Sequence, residues 1–184
     1  MKKQGTIKVC IDYRDVNHAC PKDNYPTPFI DQIIDDCPGC EIFSFMDGFS
    51  GYNQINIRPE DQHKTTFIYP WGTFSYRKLR FGLKNDGATF QREMDYAFND
   101  IKHIVQTYVD DLPANSRNQT NHLMHLRAIF LRYQHYKICL NPHKCVFCVG
   151  SGRFLGFVVS KEGIRIEPLK VQAILDLPAP SNLL

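Results

Sequence analysis

The chain has no apolar stretch near the roughly 20 residues that a membrane-spanning helix needs, which excludes a helical span as a reading of this sequence. Its start, Met1-Lys2-Lys3-Gln4-Gly5, carries positive charge but no apolar segment or small-residue cleavage site behind it, so it does not read as a secretory signal. An intracellular location and no membrane partner are the expectation. Internal repeats and low-complexity tracts are absent as well. Excess charge is small, a formal +3 over 184 residues, and 43% hydrophobic with 22% charged residues suits a globular protein with one substantial core.

Cysteine is present without the pattern of a staple. The count of seven is odd and no secretory signal precedes it, which argues against a disulfide framework. Cys37-Pro38-Gly39-Cys40 and Cys145-Val146-Phe147-Cys148 are two C-x-x-C pairs, but the hundred or so residues between them far exceed the ~15 to 20 of a zinc ribbon. Buried or incidental thiols are the expected reading, with structural zinc and redox chemistry as the alternatives. The basic residues gather at Lys2, Lys3, Lys8, Arg14 and Lys22 and again at Arg77, Lys78, Arg80 and Lys84, clusters that track phosphates or form a solvated surface.

Lys8–Tyr13 alternates like a strand, and the proline-rich 20–28 segment is an extended connector. Phe29, Ile30, Ile33 and Ile34 recur at helical spacing, with Thr27 as cap and Pro38-Gly39 as stop. Strands are expected at Ile42–Asp47, Tyr52–Ile57, Thr65–Tyr69, Thr73–Tyr76 and Ile104–Val109, then at Lys144–Phe147 and Arg153–Val159. Helices are expected from Asn85 or Gly87 through Phe98, over Asn121–Lys137 and over Pro168–Leu177. This order suggests an α+β fold, an antiparallel sheet with helices on one face.

Two of these strands end in acids: Ile42–Asp47 in Asp47, and Ile104–Val109 in Asp110-Asp111. Side chains alternate along a strand, so adjacent aspartates serve one site only where the strand ends or turns. If both strands lie in one sheet, Asp47, Asp110 and Asp111 form a cluster that repels itself unless cations neutralise it. A solvated acidic turn is the competing account.

Val9–Asn17 with Lys22-Asp23 and Tyr25-Pro26, Phe45–Ile55, Phe81–Asn85 with Ala88–Gln91, Tyr108–Asp111, Leu140–Cys145 and Phe154–Gly156 follow one another as six ordered motifs. Together they resemble the reverse transcriptases of gypsy-class long-terminal-repeat retrotransposons. The resemblance implies a right-hand polymerase palm, an antiparallel sheet backed by helices, plus partial fingers. It places fingers at about 1–40 and 53–80, palm at about 41–52 and 81–167, and the start of the thumb connection at about 168–184. It implies RNA-directed DNA polymerase chemistry: two-metal nucleotidyl transfer from dNTP to a primer on an RNA or DNA template, with Asp47, Asp110 and Asp111 holding two Mg2+ ions and Mn2+ as a substitute. Lys8 would meet the triphosphate, Tyr52 would block a 2′-hydroxyl, and Phe81, Gly82 and Gln91 would line nucleotide and template. Lys144 would protonate pyrophosphate, and Phe154, Leu155 and Gly156 would grip the primer. Core packing or a solvated surface is the competing account for these residues. A cytoplasmic particle is also implied, as is a parent polyprotein with the thumb, ribonuclease H and integrase regions that this chain lacks.

Three positions depart from the family pattern. Pro113 stands in the return strand, where it removes a backbone donor. Asp86-Gly87 puts a negative charge in the nucleotide motif, and Arg80 replaces an apolar residue or proline. The alternative readings are a catalytically defective palm remnant that binds nucleic acid, and a zinc-held interaction module.

Overall fold

The computed structural model describes residues 10–49 and 51–177. Lys2, Lys3, Lys8 and the first two residues of the strand expected at Lys8–Tyr13 lie outside them; the other four, Cys10–Tyr13, form no strand and run without regular structure into a helix, α1 (Arg14–Ala19). The extended connector leads to α2 (Ile30–Asp35), whose N-cap is Phe29 with no side-chain cap, in place of the expected Thr27. Then come β1 (Ile42–Asp47), the helical turn α3 (Pro59–Gln62) and a hairpin, β2 (Phe67–Tyr69) and β3 (Gly72–Phe74). The second half holds α4 (Asp86–Phe98), β4 (Asp111–Ser116), α5 (Gln119–Tyr136), β5 (Val146–Val149), β6 (Ser151–Phe154), β7 (Phe157–Ser160), β8 (Gly163–Ile166) and α6 (Pro168–Leu175).

The central sheet has the order β4-β1-β5, with β1 antiparallel to both neighbours. Along β1 the side chains alternate between two cores. Met46 joins Phe90, Met94 and Phe98 of α4, Ile129 and Tyr133 of α5, and Leu112 and Ala114 of β4. Phe43 faces the other way, packing with Ile33, Cys37 and Cys40 under Phe154 and Val159 of the β6-β7-β8 sheet. Both faces of the sheet are therefore covered, the reason β1 reads as an almost unbroken apolar run. Gly152 permits the second contact, since a Cβ there would lie 2.1 Å from the Phe45 ring.

Two expected strands are absent. Tyr52–Ile57 forms a 3-10 turn over Gly51–Gln54 and a single bridge from Asn56 to Lys78, because Gly51 is drawn tight against Phe90 of α4. Ile104–Val109 keeps only isolated bridges, Val105 to Ala114 and Tyr108 to Asp111. Pro113 explains the latter. It sits opposite Phe45 in β1, but its nitrogen faces Gln106, whose N–H donates to the Pro113 carbonyl at 3.1 Å with no donor to return the bond. The β1 ladder survives and the outer one breaks. Replacing Pro113 by Leu would restore one bond worth about 1 kcal/mol, against roughly 0.4–1 kcal/mol of lost unfolded-chain restriction. The expected result is a melting temperature shifted by no more than about 3 °C, with slower hydrogen exchange across 105–109.

α5 starts at Asn118, whose side chain accepts the Asn121 N–H at 2.9 Å, and buries His122, Leu126, Ile129 and Tyr133 at helical spacing. Leu123, Phe130 and Leu131 of the same helix are exposed. His122 is fully buried between Ser44 Oγ at 2.7 Å and Ser116 Oγ at 2.9 Å, and burial, then His125, holds its pKa below the usual value. The folded state thus keeps this imidazole neutral while the unfolded chain takes a proton below pH ~6.5, so the contribution is present above that pH and lost as pH falls. Urea titrations at pH 7.5 and 5.5 should show a stability loss that shrinks in His122→Gln.

Candidate active site

Tyr108 and Asp111 exchange both backbone hydrogen bonds at 2.9 Å, making Val109 and Asp110 the centre of a two-residue hairpin turn. Val109 has φ +50, a conformation that costs a β-branched residue about 1–2 kcal/mol. Gln91 holds it there: its Oε1 accepts the Val109 N–H at 2.9 Å, and its Nε2 donates to the Thr107 carbonyl and Oγ1, each at 3.0 Å. Gln91 is wholly buried. With its amide engaged on the turn, Gln91 positions Val109 through partners 16 and 18 residues on in sequence, which a one-dimensional reading misses.

Asp111 is directly opposite Asp47 across β1 and β4. Asp110 sits opposite Gly48, whose N–H donates to its carbonyl at 3.1 Å, and its Oδ1 is so near Gly51 that a Cβ there would be 2.4 Å away. Burial pushes both carboxyls above the ordinary range; Asp47 and Asp111 add to the effect at Asp110, and Asp47 adds to it at Asp111. Asp110 Oδ1 is buried and has no hydrogen-bond partner among the described residues. Asp47 Oδ2 is held by Lys144 Nζ at 2.9 Å, and this pairing raises the lysine pKa. Among the described residues no three His, Cys, Asp or Glu side chains converge as a finished metal cage. The chemistry nevertheless fits a hard divalent cation: three carboxylates, one oxygen orphaned, and too little positive charge nearby.

The remaining residues gather around this point. Tyr52 packs 5.4 Å from Phe90 and 6.2 Å from Phe81, ring to ring, and burial, then Asp110 and Asp86, push its phenol up to about 12. Phe81 is exposed, and Gly82 has φ +105, which only glycine adopts easily. Asp86 spends its carboxylate locally, accepting the Gly82 N–H at 2.9 Å and the Gly87 N–H at 2.6 Å at the start of α4, where a helix dipole favours an acid. Lys84 donates to the Cys20 carbonyl at 2.7 Å, and Asn85 bonds Asp23 N and the Pro21 carbonyl, so the connector clamps this loop.

At the motif expected to grip the primer, Phe154 is a core residue stacked 6.0 Å from Phe45, while Leu155 (φ +49) and Gly156 (φ +87) form the β6–β7 turn. A cleft of about 190 Å³ brings Phe154 and Leu155 to the same wall as Asp47, Asp111, Lys144 and Arg153. Gly51 and Cys145, whose Sγ accepts the Asp47 N–H at 3.4 Å, were not among the expected site residues. The two C-x-x-C pairs do not meet: Cys37 and Cys40 are buried in the second core, and Cys145 lies under Asp47, which overturns the zinc-held module.

The description "Reverse transcriptase (RNA-dependent DNA polymerase)" belongs to a family model that matches residues 1–159. The chain belongs to the reverse transcriptase family. It is 35% identical over 95% of its length to a retrovirus-related Pol polyprotein from transposon 297 of Drosophila melanogaster, and 33% identical over 94% to that of transposon gypsy of the same organism. It spans only 17% of each of those relatives. A foamy viral protease-reverse transcriptase in complex with dsDNA shares its fold, with a TM-score of 0.86 at 21% identity, over 98% of this chain and 38% of that one. The same viral enzyme in complex with an RNA/DNA hybrid gives 0.80 at 21% identity over 92% of this chain and 23% of that one. Reverse transcriptases in general use divalent metal ions, and the palm-like sheet with helices behind it is the fold this family predicts. No helix among the described residues is long and apolar enough to cross a membrane.

Proposed function

We propose that this reverse transcriptase chain adds deoxynucleotides to a primer 3′-hydroxyl on an RNA or DNA template, as the polymerase part of a retrotransposon polyprotein. The observation that supports this most is Asp110 Oδ1, a buried carboxylate oxygen with no partner among the described residues, on a group whose pKa is raised by burial and by two neighbouring carboxylates. A cation would satisfy such a group. Asp47, Asp110 and Asp111 would hold two Mg2+ ions, with Mn2+ as a substitute. When bound, these ions supply Lewis-acid activation of the hydroxyl and charge neutralisation on the departing pyrophosphate.

The protein's own residues do the positioning. Gln91 and the Val109 turn fix Asp110, and the β1–β4 register fixes Asp47 beside Asp111. The exposed Phe81 and the side-chain-free Gly82 would offer a surface for the nucleotide, Tyr52 would block a 2′-hydroxyl, and Lys8 would meet the triphosphate. Lys144, which pairs with Asp47 and lines the cleft, would protonate the leaving pyrophosphate, and the Leu155-Gly156 turn would hold the primer end. Fingers at about 1–40 and 53–80, palm at about 41–52 and 81–167, and a thumb connection from about 168 follow from this reading. So does a parent polyprotein acting within a cytoplasmic particle.

The test is extension of a labelled DNA primer annealed to RNA, with dNTPs and Mg2+. Addition of nucleotides that stops with EDTA is expected, and rNTPs should be accepted about 100-fold better by Tyr52→Ala than by the wild type. Salt-sensitive binding without any extension would favour the defective remnant instead.

A further inference from the structure

Arg80, the position where this chain departs from its family without an evident reason, has the surroundings of an anion site. Its guanidinium carbon lies 4.4 Å over the Tyr76 ring, and its Nη1 donates to Asn53 Oδ1 at 3.3 Å, a long bond for a charged donor. Nε is buried and has no acceptor, and no carboxylate pairs with this cation among the described residues. Beside it Tyr13, itself 5% exposed, also has a buried hydroxyl without a partner among the described residues, and the Tyr13 phenol feels both Arg80 and Tyr76. Buried donors almost always find acceptors, so two orphaned ones around one uncompensated guanidinium mark a place short of an anionic oxygen. The stacked tyrosine and Asn53 hold the planar fork in one orientation, which suits phosphate. The location fits as well: Arg80 joins the Tyr52-Asn53 turn to the Phe81-Gly82 loop, and the Gly82 backbone approaches the Tyr13 ring, with a Cβ there 3.8 Å from it.

We propose that Arg80 binds a phosphate group beside the Phe81-Gly82 loop, either of the nucleic-acid strand or of the incoming nucleotide. The identity of that phosphate's owner rests on the polymerase reading; the site itself rests on Arg80, Tyr76, Asn53 and Tyr13.

Arg80→Gln keeps the stem and removes the charge, and Arg80→Lys keeps the charge without the fork; equal melting temperatures establish that each variant folds. A fluorescein-labelled DNA primer on an RNA template, followed by anisotropy over a salt series, reads the strand, and equilibrium dialysis of labelled dTTP reads the nucleotide. For a strand phosphate, Arg80→Gln should bind the duplex about tenfold more weakly at ~0.1 M salt, with the log–log salt slope smaller by about 0.7–0.9, and Arg80→Lys should restore that slope. For a nucleotide phosphate, dTTP binding should weaken about tenfold with the duplex unchanged. Wild-type affinity of Arg80→Gln for both probes would overturn the proposal. Neither assay needs turnover, so a wild-type chain that shows Arg80-dependent binding but no extension would overturn the polymerase reading alone. A wild-type chain that binds neither probe would overturn both.

Discussion

Gly51→Ala is expected to lower the single-turnover rate of primer extension by about 100-fold while the protein stays folded. The added Cβ would lie 2.4 Å from Asp110 Oδ1, and 2.8 and 2.9 Å from two atoms of the Phe90 ring. The ring is a fully buried part of the main core, so it cannot give way cheaply. Asp110 cannot easily give way either, because its turn is pinned by Gln91 and by the paired bonds between Tyr108 and Asp111. Overpacking of this kind costs about 1–3 kcal/mol, roughly 2–10 °C in a chain of this size, and any relief comes from moving the carboxylate. A displacement near 1 Å in a reacting constellation is worth about two powers of ten in rate. Quench-flow rates alongside thermal melts separate the two effects. A variant within twofold of wild type would mean that Asp110 is not where the chemistry happens.

Much of the framework was legible because its signals are local. β1 occupies the expected Ile42–Asp47, an apolar run ending in a single acid, and α4 begins at Asp86, between the two starts expected for it. The aspartate arrangement followed from a period argument, and the turn at Val109-Asp110 is the bend that the argument required. What stayed hidden depends on neighbours distant in sequence. Tyr52–Ile57 has strand-like composition, yet the close approach of Gly51 to Phe90 and Asp110 winds it into a 3-10 turn, a tertiary override of propensity. Gln91 carries no mark in the sequence that separates a nucleotide contact from a buried clamp. The pairing of Lys144 with Asp47 joins residues 97 positions apart. Asp86 reads as an added charge near the nucleotide, but as the first residue of α4 it accepts the Gly82 and Gly87 N–H groups, and it still contributes to the upward shift at Asp110.

Asp110→Asn is expected to have opposite effects on rate and on stability. In the metal-free protein at neutral pH, Asp110 is a desolvated carboxylate beside two others, and its raised pKa means that the charged form is disfavoured by folding. The sign follows directly: relief is complete below the unfolded value near 3.9 and disappears as pH rises through the folded one, so at pH 7 the site is under strain. The amide removes that charge at nearly constant shape. With EDTA present, the variant should melt about 2–4 °C above wild type, the equivalent of roughly 1 kcal/mol. Added Mg2+ should stabilise the wild type more than the variant, since the variant has lost one hard anionic ligand. Primer extension, by contrast, should fall by about 1,000-fold or more, the several kcal/mol that two-metal stabilisation supplies. A site that weakens the fold in order to bind a cation should show both signs in one substitution; an ordinary surface acid should show neither.

The most direct measurement is therefore single-turnover extension of a DNA primer on an RNA template in Mg2+, with wild-type protein and Asp110→Asn in parallel at matched folded concentration. The account predicts template-directed addition by the wild type and none within the same time by the variant. Extension by Asp110→Asn at the wild-type rate would contradict it.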